Sequence, residues 1–493
     1  MGADIETTAY TREQRQRYRE KVTACLDVFE QMLHYSHFDF ERPMTGMEIE
    51  LNLVGTDYRP SMANAEVLEA IADPEYQTEL ARYNIEFNVT PRTLPGDAVR
   101  VLEDDLRASL NRAEEKAAAL GSRIVMIGVL PTVTAEDFQG EWMSANARYY
   151  ALNDAVLSAR GEDVRLDIVG PTGEHLDRYF DSLAPEATCT SMQLHLQVAP
   201  LSFADHWNAA QVLAGPQLAM GANSPFVMGQ RLWAESRIAV FAQSADTRSP
   251  ELKNQGVRPR VWFGERWITS IFDLFEENVR YFPALLPELT DEDPLAVLEA
   301  GGVPSLAEMR LHNGTIYRWN RPIYDIVAGR PHLRVENRVL PAGPTIVDTL
   351  ANAVFYYGTL RALAHEDRPV WTRMSFAAAE DNFTEGARSG LDAKLFWPGR
   401  GDLPASELVL RHLLPLADEG LREWGVSQAV RDRYLSVIEG RCLTGHNGAS
   451  WQTDVVAHFE GRGQSRPEAL RSMLERYAAN MHSNAPVHSW ELP

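Results

Sequence analysis

The stretch TGMEIELNL, residues 45–53, sets two glutamates two positions apart in a segment that otherwise has the composition of a buried strand. Successive side chains of a β-strand point to opposite faces, so Glu48 and Glu50 share one face and the apolar side chains around them lie on the other. Two like charges beside each other repel unless solvent or a cation screens them. The stretch therefore predicts a strand with an apolar reverse face and a polar face that requires an explanation.

The composition of the chain is that of an ordinary globular protein. It has 493 residues, of which 45% are hydrophobic, and this is enough to bury a large core. Its formal net charge of −22 argues against non-specific binding to nucleic acid or to anionic membranes, because both require a basic surface. The three cysteines are widely spaced, no apolar run reaches membrane-spanning length, and residues 1–21 contain no apolar signal core. We therefore expect a cytoplasmic protein without a nucleic-acid or membrane partner.

Hydrophobic periodicity along the rest of the chain predicts helices and strands, followed by a mainly helical tail. The first helix is expected over residues 11–33, where Thr11 can cap its start. The apolar run over residues 123–131 is typical of a central strand. Further helices are predicted over 65–71, 76–83, 97–121 and 203–222, further strands over 84–91, 190–198 and 332–340, and no strand after about residue 345.

Three of these strands repeat the alternation of residues 45–53. Glu86, His195 and Glu336 lie on their polar faces, opposite apolar side chains. Solvent would explain each polar face singly. Together with the first strand they form a set of hard oxygen donors and one imidazole, which is the set that Mg²⁺ or Mn²⁺ prefers: Glu48, Glu50, Glu86, His195 and Glu336.

Six short motifs give the chain a resemblance to a known family. In chain order they are TGMEIEL, EVLEA, ELARYNIEFNVTP, MQLHLQV, ANSPF and LRVENR. This ordered set resembles the glutamate-cysteine ligase family, in particular its bacterial and plant type, which includes the carboxylate-amine ligases. The resemblance covers roughly residues 40–365.

The resemblance implies an α+β fold of the glutamine-synthetase-like type. In that fold a curved, mainly antiparallel sheet, flanked by helices, forms an active-site funnel with ATP entering at one end and the substrates at the other. Residues 1–365 would be the glutamate-cysteine ligase-like catalytic domain. Residues 366–493 would be a mainly helical C-terminal extension.

The resemblance also implies roles for individual residues. Glu336 and Arg338 would be catalytic, with Arg338 meeting the phosphate in transfer. Arg338 and His195 would contact ATP, and Arg260 could either approach the phosphates or be an ordinary loop arginine. Glu79 would be a ligand, or could instead lie on a helix surface. The implied metal ligands are Glu48, Glu50, Glu79, Glu86, His195 and Glu336.

A glutamate substrate needs a cation for its α-carboxylate. Arg231 or Arg237 is one candidate source, and Arg318 or Arg321 is the competing one. Each of these arginines could equally form a structural ion pair. The sequence therefore leaves the substrate-binding arginine open among these four.

The function that the resemblance implies is an ATP-dependent ligase. It would join the γ-carboxylate of glutamate to the amine of cysteine through an acyl phosphate, with Mg²⁺ or Mn²⁺ as the metal. Neither a GxxxxGK[ST] nor a GxGxxG motif is present, so nucleotide contacts are expected from backbone amides and sheet residues. Three alternatives stay open: a ligase of the same mechanism with a different amine, a metal-dependent amide hydrolase, and a non-catalytic relative that binds nucleotide. Small molecules are the expected partners, and no oligomeric state is predicted.

Overall fold

The computed structural model describes residues 10–493. Residues 1–9, which belong to the N-terminal stretch predicted to contain no signal core, lie outside it. Its strands are β1 (Thr45–Gly55), β2 (Tyr76–Thr78), β3 (Asn84–Arg92), β4 (Ser122–Val125), β5 (Val164–Val169), β6 (His175–Phe180), β7 (Met192–Gln197), β8 (Phe226–Val227), β9 (Gln230–Arg231), β10 (Val261–Trp262), β11 (Tyr317–Arg318), β12 (Asn320–Val327), β13 (Arg330–Asn337), β14 (Lys394–Trp397) and β15 (Gly401–Pro404).

The α-helices follow the same chain order. They are α1 (Arg12–Tyr35), α2 (Asn64–Ile71), α3 (Ala98–Ala119), α4 (Ala147–Arg160), α5 (Phe203–Gly221), α6 (Arg237–Ser244), α7 (Pro250–Asn254), α8 (Ile271–Tyr281), α9 (Pro294–Glu299), α10 (Ala307–Asn313), α11 (Ile346–Ala364), α12 (Phe376–Ser389), α13 (Ala405–Leu408), α14 (Leu414–Glu423), α15 (Gln428–Thr444), α16 (Gly448–Gly461) and α17 (Arg466–Ser483). Short 3-10 turns include Glu186–Thr188, directly before β7. Over residues 10–493 no helix combines the length and apolar character needed to cross a membrane.

Seven strands within the described part of the chain form one sheet. Their order is β12-β13-β7-β1-β3-β2, and β4 pairs with the far end of β1. All of these pairings are antiparallel, and the sheet curls into a half-barrel. The four strands predicted from alternation are β1, β3, β7 and β13. The predicted α+β fold with a curved, mainly antiparallel sheet and flanking helices is confirmed.

Helices α5 and α11 cover the apolar face of the sheet. Both are buried along almost their whole length, which is why their sequences are apolar on nearly all sides. They pack on each other and contact strands of the sheet. The hydroxyl of Tyr357 in α11 lies 3.1 Å from the carbonyl oxygens of Gly46 and His195 and donates to them, which ties the helix to β1 and β7.

Helices from the C-terminal part of the chain pack directly on this layer. Arg441 of α15 forms a buried ion pair with Asp348 of α11, with 2.7 Å between Nη2 and Oδ1. Tyr477 of α17 donates its hydroxyl proton to the carbonyl of Met126, 2.7 Å away. One continuous hydrophobic core therefore includes residues from both sides of position 365. The domain boundary at that position stays a prediction.

The predicted helix over residues 76–83 is wrong. The structure places the strand β2 there, followed by a loop. Tyr76 stacks on Phe87 of β3 with ring centroids 4.5 Å apart, so cross-strand packing decides the conformation of this segment over its helical propensity.

The apolar run over residues 123–131 is also not a central strand. Its start belongs to β4, which pairs with β1 alone among the described strands, and the rest is irregular and buried. The backbone amide of Met126 contacts the sulfur of Met481 in α17 at 3.2 Å. The apolar character of this run therefore reflects burial under the C-terminal helices. A further difference is the hairpin β14–β15, which lies where no strand was predicted.

Candidate active site

The registers of the sheet bring the predicted polar faces together. Glu50 of β1 pairs with Glu86 of β3, and Glu336 of β13 pairs with His195 of β7. Glu48 lies on β1 between these two pairs. Residues that pair directly in an antiparallel ladder present their side chains on the same face. Groups from four strands therefore form one polar surface, on the side of the sheet away from α5 and α11.

A cavity of about 580 Å³ lies over this polar surface. Aromatic side chains such as Phe241, Tyr317 and Trp319 form part of its wall. Candidates for metal, phosphate and substrate binding from separate segments thus face one space. The predicted site residues in its lining are Glu48, Glu50, Glu79, Glu86, Arg237, Arg321, Glu336 and Arg338.

Three carboxylates meet on one side of the cavity, and we call Glu50, Glu79 and Glu86 the carboxylate cluster. One oxygen atom of each lies within 4.8 Å of the others. Burial, and then the charge of Glu86, raise the pKa of Glu50 from 4.5 to about 7. Burial and neighbouring carboxylates also raise the pKa values of Glu79 and Glu86. These shifts show that the surrounding protein does not balance the negative charge of the cluster.

Neutral donors orient the cluster without neutralising it. Glu50 accepts hydrogen bonds from the backbone amide of Ser191 at 2.6 Å and from the side-chain amide of Gln193 at 3.1 Å. Glu86 accepts one from the side-chain amide of Asn88 at 2.7 Å. These hydrogen bonds therefore fix the direction of the Glu50 and Glu86 carboxylates.

The chemistry of the cluster fits a divalent cation. Buried carboxylate oxygens are the ligands that Mg²⁺ and Mn²⁺ prefer, and a bound cation would remove the repulsion that raises these pKa values. Glu50, Glu79 and Glu86 could therefore hold Mg²⁺ or Mn²⁺.

On the other side of the cavity the carboxylates have partners, and we call Glu48, Glu336, His195, Arg321 and Arg338 the paired half. Arg321 Nη2 lies 2.9 Å from Oε2 of Glu336, and Arg338 Nε lies 3.7 Å from its Oε1. Burial opposes ionisation of Glu336, but these two arginines lower its pKa. Burial also opposes ionisation of Glu48. The imidazole of His195, whose Nε2 lies 3.0 Å from Oε1 of Glu48, nevertheless lowers the pKa of Glu48 well below its usual range.

Both ring nitrogens of His195 are engaged. Arg334 Nε lies 3.2 Å from Nδ1 of His195, and a guanidinium can only donate, so Nδ1 accepts. The ring proton is then on Nε2 and is donated to Glu48. Ligation of a metal through Nε2 requires that this proton leave and that Arg334 turn away from Nδ1. The role of His195 as a metal ligand stays a prediction, and it requires both of these changes.

Three arginines that the sequence suggested for the site do not line the cavity. Arg318 is buried in an ion pair with Glu277, with 2.9 Å between Nη2 and Oε2. Arg260 is buried and donates to the carbonyl of Thr315 at 3.1 Å. Arg231 lies on β9, outside the cavity lining. Arg318 and Arg260 make structural contacts, and Arg231 lies outside the lining. The cavity geometry therefore supports no substrate or ATP role for these three arginines.

Sequence reasoning missed other residues of the lining. The alternation places Arg334 on the same face of β13 as Glu336, two positions earlier, but no role was predicted for it. Glu186 comes from the 3-10 turn before β7, and Arg148 from the start of α4. No alternation marks these two, because neither lies in a strand.

The curled antiparallel sheet with its flanking helices is the fold of the glutamine-synthetase-like ligases. A family model described as glutamate-cysteine ligase family 2 matches residues 44–475. The chain belongs to this family, as the motifs predicted, and it is a carboxylate-amine ligase of the glutamate-cysteine ligase type. The match continues beyond residue 365 into the C-terminal helices.

Solved structures share the fold at low sequence identity. One is a glutamate–cysteine ligase from Francisella tularensis in complex with AMP, with a TM-score of 0.57 and 13% identity over 92% of this chain and 91% of that one. Another is a bifunctional glutathione synthetase from Pasteurella multocida, with a TM-score of 0.51 and 12% identity over 95% of this chain and 55% of that one. This chain therefore spans about half the length of the second structure. No curated protein sequence matches the chain.

Proposed function

We propose that the protein is an ATP-dependent ligase that joins the γ-carboxylate of glutamate to the amine of cysteine through an acyl phosphate. Family membership supports the ligase class, and the similar Francisella tularensis enzyme is described in complex with AMP. The observation that carries the proposal is the position of the carboxylate cluster and the arginines of the paired half over one cavity. Phosphoryl transfer to a carboxylate needs positive charge on both sides of the phosphate, and this arrangement can supply it.

Arg338 of the paired half would bind the transferring phosphate. Arg321 and Arg338 approach Glu336 from two sides, and this carboxylate holds both guanidinium groups toward the cavity. Planar guanidinium groups can donate two parallel hydrogen bonds to phosphate oxygens. Glu336 would therefore act by orienting the arginines, while Arg338 would stabilise the charge of the phosphate in transfer.

The carboxylate cluster would hold Mg²⁺ or Mn²⁺. When bound, the cation would neutralise phosphate oxygens of ATP and align the acid with phosphorus. The residues of the chain prepare this site, because Ser191 and Gln193 hold Glu50 in place through neutral donors. Because these donors are neutral, the negative charge of the cluster remains available to bind the cation.

Arg321 is the better candidate for the α-carboxylate of glutamate among the four suggested arginines. Arg237 also lines the cavity, but its Nε contacts Glu235 at 3.1 Å and its remaining nitrogens donate to the carbonyls of Arg338 and Val339. Arg237 therefore holds the backbone of the segment after β13 that carries Arg338. Arg321 reaches the cavity surface with Glu336 as its partner, which a substrate carboxylate could share.

An ADP-release assay with a panel of amines tests the proposal. Purified enzyme is given ATP, Mg²⁺ and glutamate, with cysteine or another amino acid or amine, and products are identified by mass spectrometry. We expect ADP and γ-glutamylcysteine to form together and only when all substrates are present. ADP release with a different amine would keep the mechanism and replace cysteine. Cleavage of the amide without nucleotide would instead establish a hydrolase.

A further inference from the structure

Glu186 differs from the other acidic residues of the cavity. It begins the 3-10 turn before β7 and lines the cavity wall. Its Oε2 atom is buried and has no hydrogen-bond partner among the described residues. Thr188 Oγ1 donates to the carbonyl of Pro185 at 2.7 Å and holds the turn in place. A rigid segment therefore presents an unpaired carboxylate oxygen.

The other cavity carboxylates are all engaged. Glu48 accepts from His195, Glu50 from Ser191, and Asp325 from Arg334 at 3.0 Å. Glu336 also has one oxygen without a hydrogen bond, but its other oxygen faces Arg321 at 2.9 Å. Glu186 is not part of the carboxylate cluster either. An unpaired buried carboxylate oxygen costs free energy, so this one calls for a ligand with an N–H group.

The position of Glu186 relates it to the reacting groups. Burial raises the pKa of Glu186 to about 7, the charge of Arg338 lowers it, and that of Glu50 raises it. Glu186 also lines the same cavity as Arg338, the proposed phosphate-binding arginine, and the carboxylate cluster. A positively charged nitrogen bound to it would lie in the cavity in which the proposed acyl phosphate forms.

We propose that Glu186 binds the ammonium group of the amine substrate and accepts one of its protons before the amine attacks. This inference rests on the proposed function and specifies the residue that recognises the second substrate. The carboxylate attracts a cationic nitrogen. Glutamate carries an α-ammonium group as well, so the KM for glutamate distinguishes binding of the acyl donor from binding of the amine. Ser191 and Gln193 also line the cavity, but they donate to Glu50 and not to Glu186.

The reaction uses only the two substrates, Glu186, the leaving phosphate and solvent. The ammonium transfers one proton to the Glu186 carboxylate and becomes a neutral amine. Its lone pair forms the C–N bond at the acyl carbon, and the C–O bond to phosphate breaks with its electron pair leaving on the phosphate. The second nitrogen proton passes to that phosphate, and Glu186 returns its own proton to solvent after product release.

The test compares Glu186→Gln with a matched control, Asp181→Asn, which changes an exposed carboxylate on the same connection between β6 and β7. Two nucleophiles are used: cysteine, whose amine is an ammonium near neutral pH, and hydroxylamine, which is neutral there. For Glu186→Gln we expect kcat/KM for cysteine to fall ~10- to 100-fold, because a charge-assisted hydrogen bond is lost. Hydroxamate formation with hydroxylamine and the KM for glutamate should stay within about 3-fold of wild type. Asp181→Asn should match wild type in all three.

Equal losses with cysteine and hydroxylamine, or a raised KM for glutamate alone, would overturn the inference. Thermal unfolding provides a second check, because replacing an unpaired carboxylate with the isosteric amide should not lower Tm. If wild-type enzyme forms no product with any amine, the proposed function fails separately. Calorimetric titration of cysteine into the enzyme, with Mg²⁺ and a non-hydrolysable ATP analogue, then still decides the role of Glu186. Weaker binding of cysteine to Glu186→Gln would support the inference, and equal binding would refute it.

Discussion

The two sides of the cavity contain the same acidic residue type in opposite electrostatic states. In the carboxylate cluster, burial and the charges of neighbouring carboxylates raise the pKa values of Glu50, Glu79 and Glu86. In the paired half, arginines overcome the effect of burial and lower the pKa of Glu336. The chain itself therefore supplies the counter-charge on one side and leaves the other side to a ligand.

Sheet topology produces this division. Strands β12 and β13 and the residue after β13 carry the basic groups, whereas β1, β3 and the loop after β2 carry the cluster. Because the strand order is β12-β13-β7-β1-β3-β2, basic and acidic side chains are separated across one sheet. A phosphate bound between them would meet arginine on one side and a metal cation on the other.

The largest expected effect comes from the carboxylate cluster. Glu86→Gln removes one oxygen ligand, and we expect turnover to fall at least ~100-fold and Mn²⁺ affinity to fall ~10- to 100-fold. ADP release and electron paramagnetic resonance of bound Mn²⁺ measure the two changes. Without divalent ions Tm should not fall, because a repelling charge is removed. Glu69→Gln, an exposed carboxylate on α2, is the control. Wild-type affinity for Mn²⁺ in Glu86→Gln would show that the cluster holds no cation.

A smaller loss is expected on the paired side. Arg338→Lys keeps the charge but loses the planar, two-donor contact, so kcat should fall ~10- to 100-fold while Mn²⁺ affinity stays close to wild type. Steady-state kinetics with ATP as the varied substrate measures this change. Arg330→Lys, at the exposed start of β13, serves as the comparison and should behave as wild type. Undiminished turnover in Arg338→Lys would make Arg338 a structural residue.

A substitution of Arg334 tests whether His195 can act as a metal ligand. Arg334→Met removes the donor to Nδ1 of His195, so the ring proton can move there and free Nε2 for a metal. We expect Mn²⁺ affinity to rise by about 10-fold, the reverse of the change in Glu86→Gln. Isothermal titration with Mn²⁺ measures it. If His195→Asn combined with Arg334→Met keeps the raised affinity, then His195 is not the ligand involved.

The smallest expected effect is a dependence of stability on pH. The pKa of Glu50 is raised from 4.5 to about 7 in the folded state, so its contribution to stability is fully present below its ordinary pKa and is lost as pH rises through 7. Glu50→Gln removes this dependence. In metal-free buffer the Tm of Glu50→Gln minus that of wild type should increase by about 2 °C between pH 5 and pH 8. Differential scanning calorimetry measures the difference, and a constant difference would contradict the raised pKa. Saturating Mg²⁺ should reverse its sign at the higher pH.

Prediction from sequence succeeded where local geometry decides the outcome. Glu48, Glu86 and His195 were assigned to polar faces because side chains alternate along a strand whatever the strand pairs with. Glu79 was predicted either as a ligand or as a residue on a helix surface. The structure replaces that helix with β2 and a loop, because the segment pairs with β3 and does not follow its own helical propensity. Glu186 escaped notice because a 3-10 turn has no periodic signal to read.

The residue pattern alone predicts which side chains share a face, and the six ordered motifs indicate the family and, through it, the mainly antiparallel sheet. Which of these groups meet follows from the folded arrangement, for example that Glu48 and His195, 147 positions apart, lie within 3.0 Å. The folded arrangement also decides which carboxylates have a counter-charge and which are left for a ligand. The reason is that side-chain direction follows from the backbone of a few neighbouring residues, whereas register, burial and ion pairing depend on the packing of segments far apart in the chain.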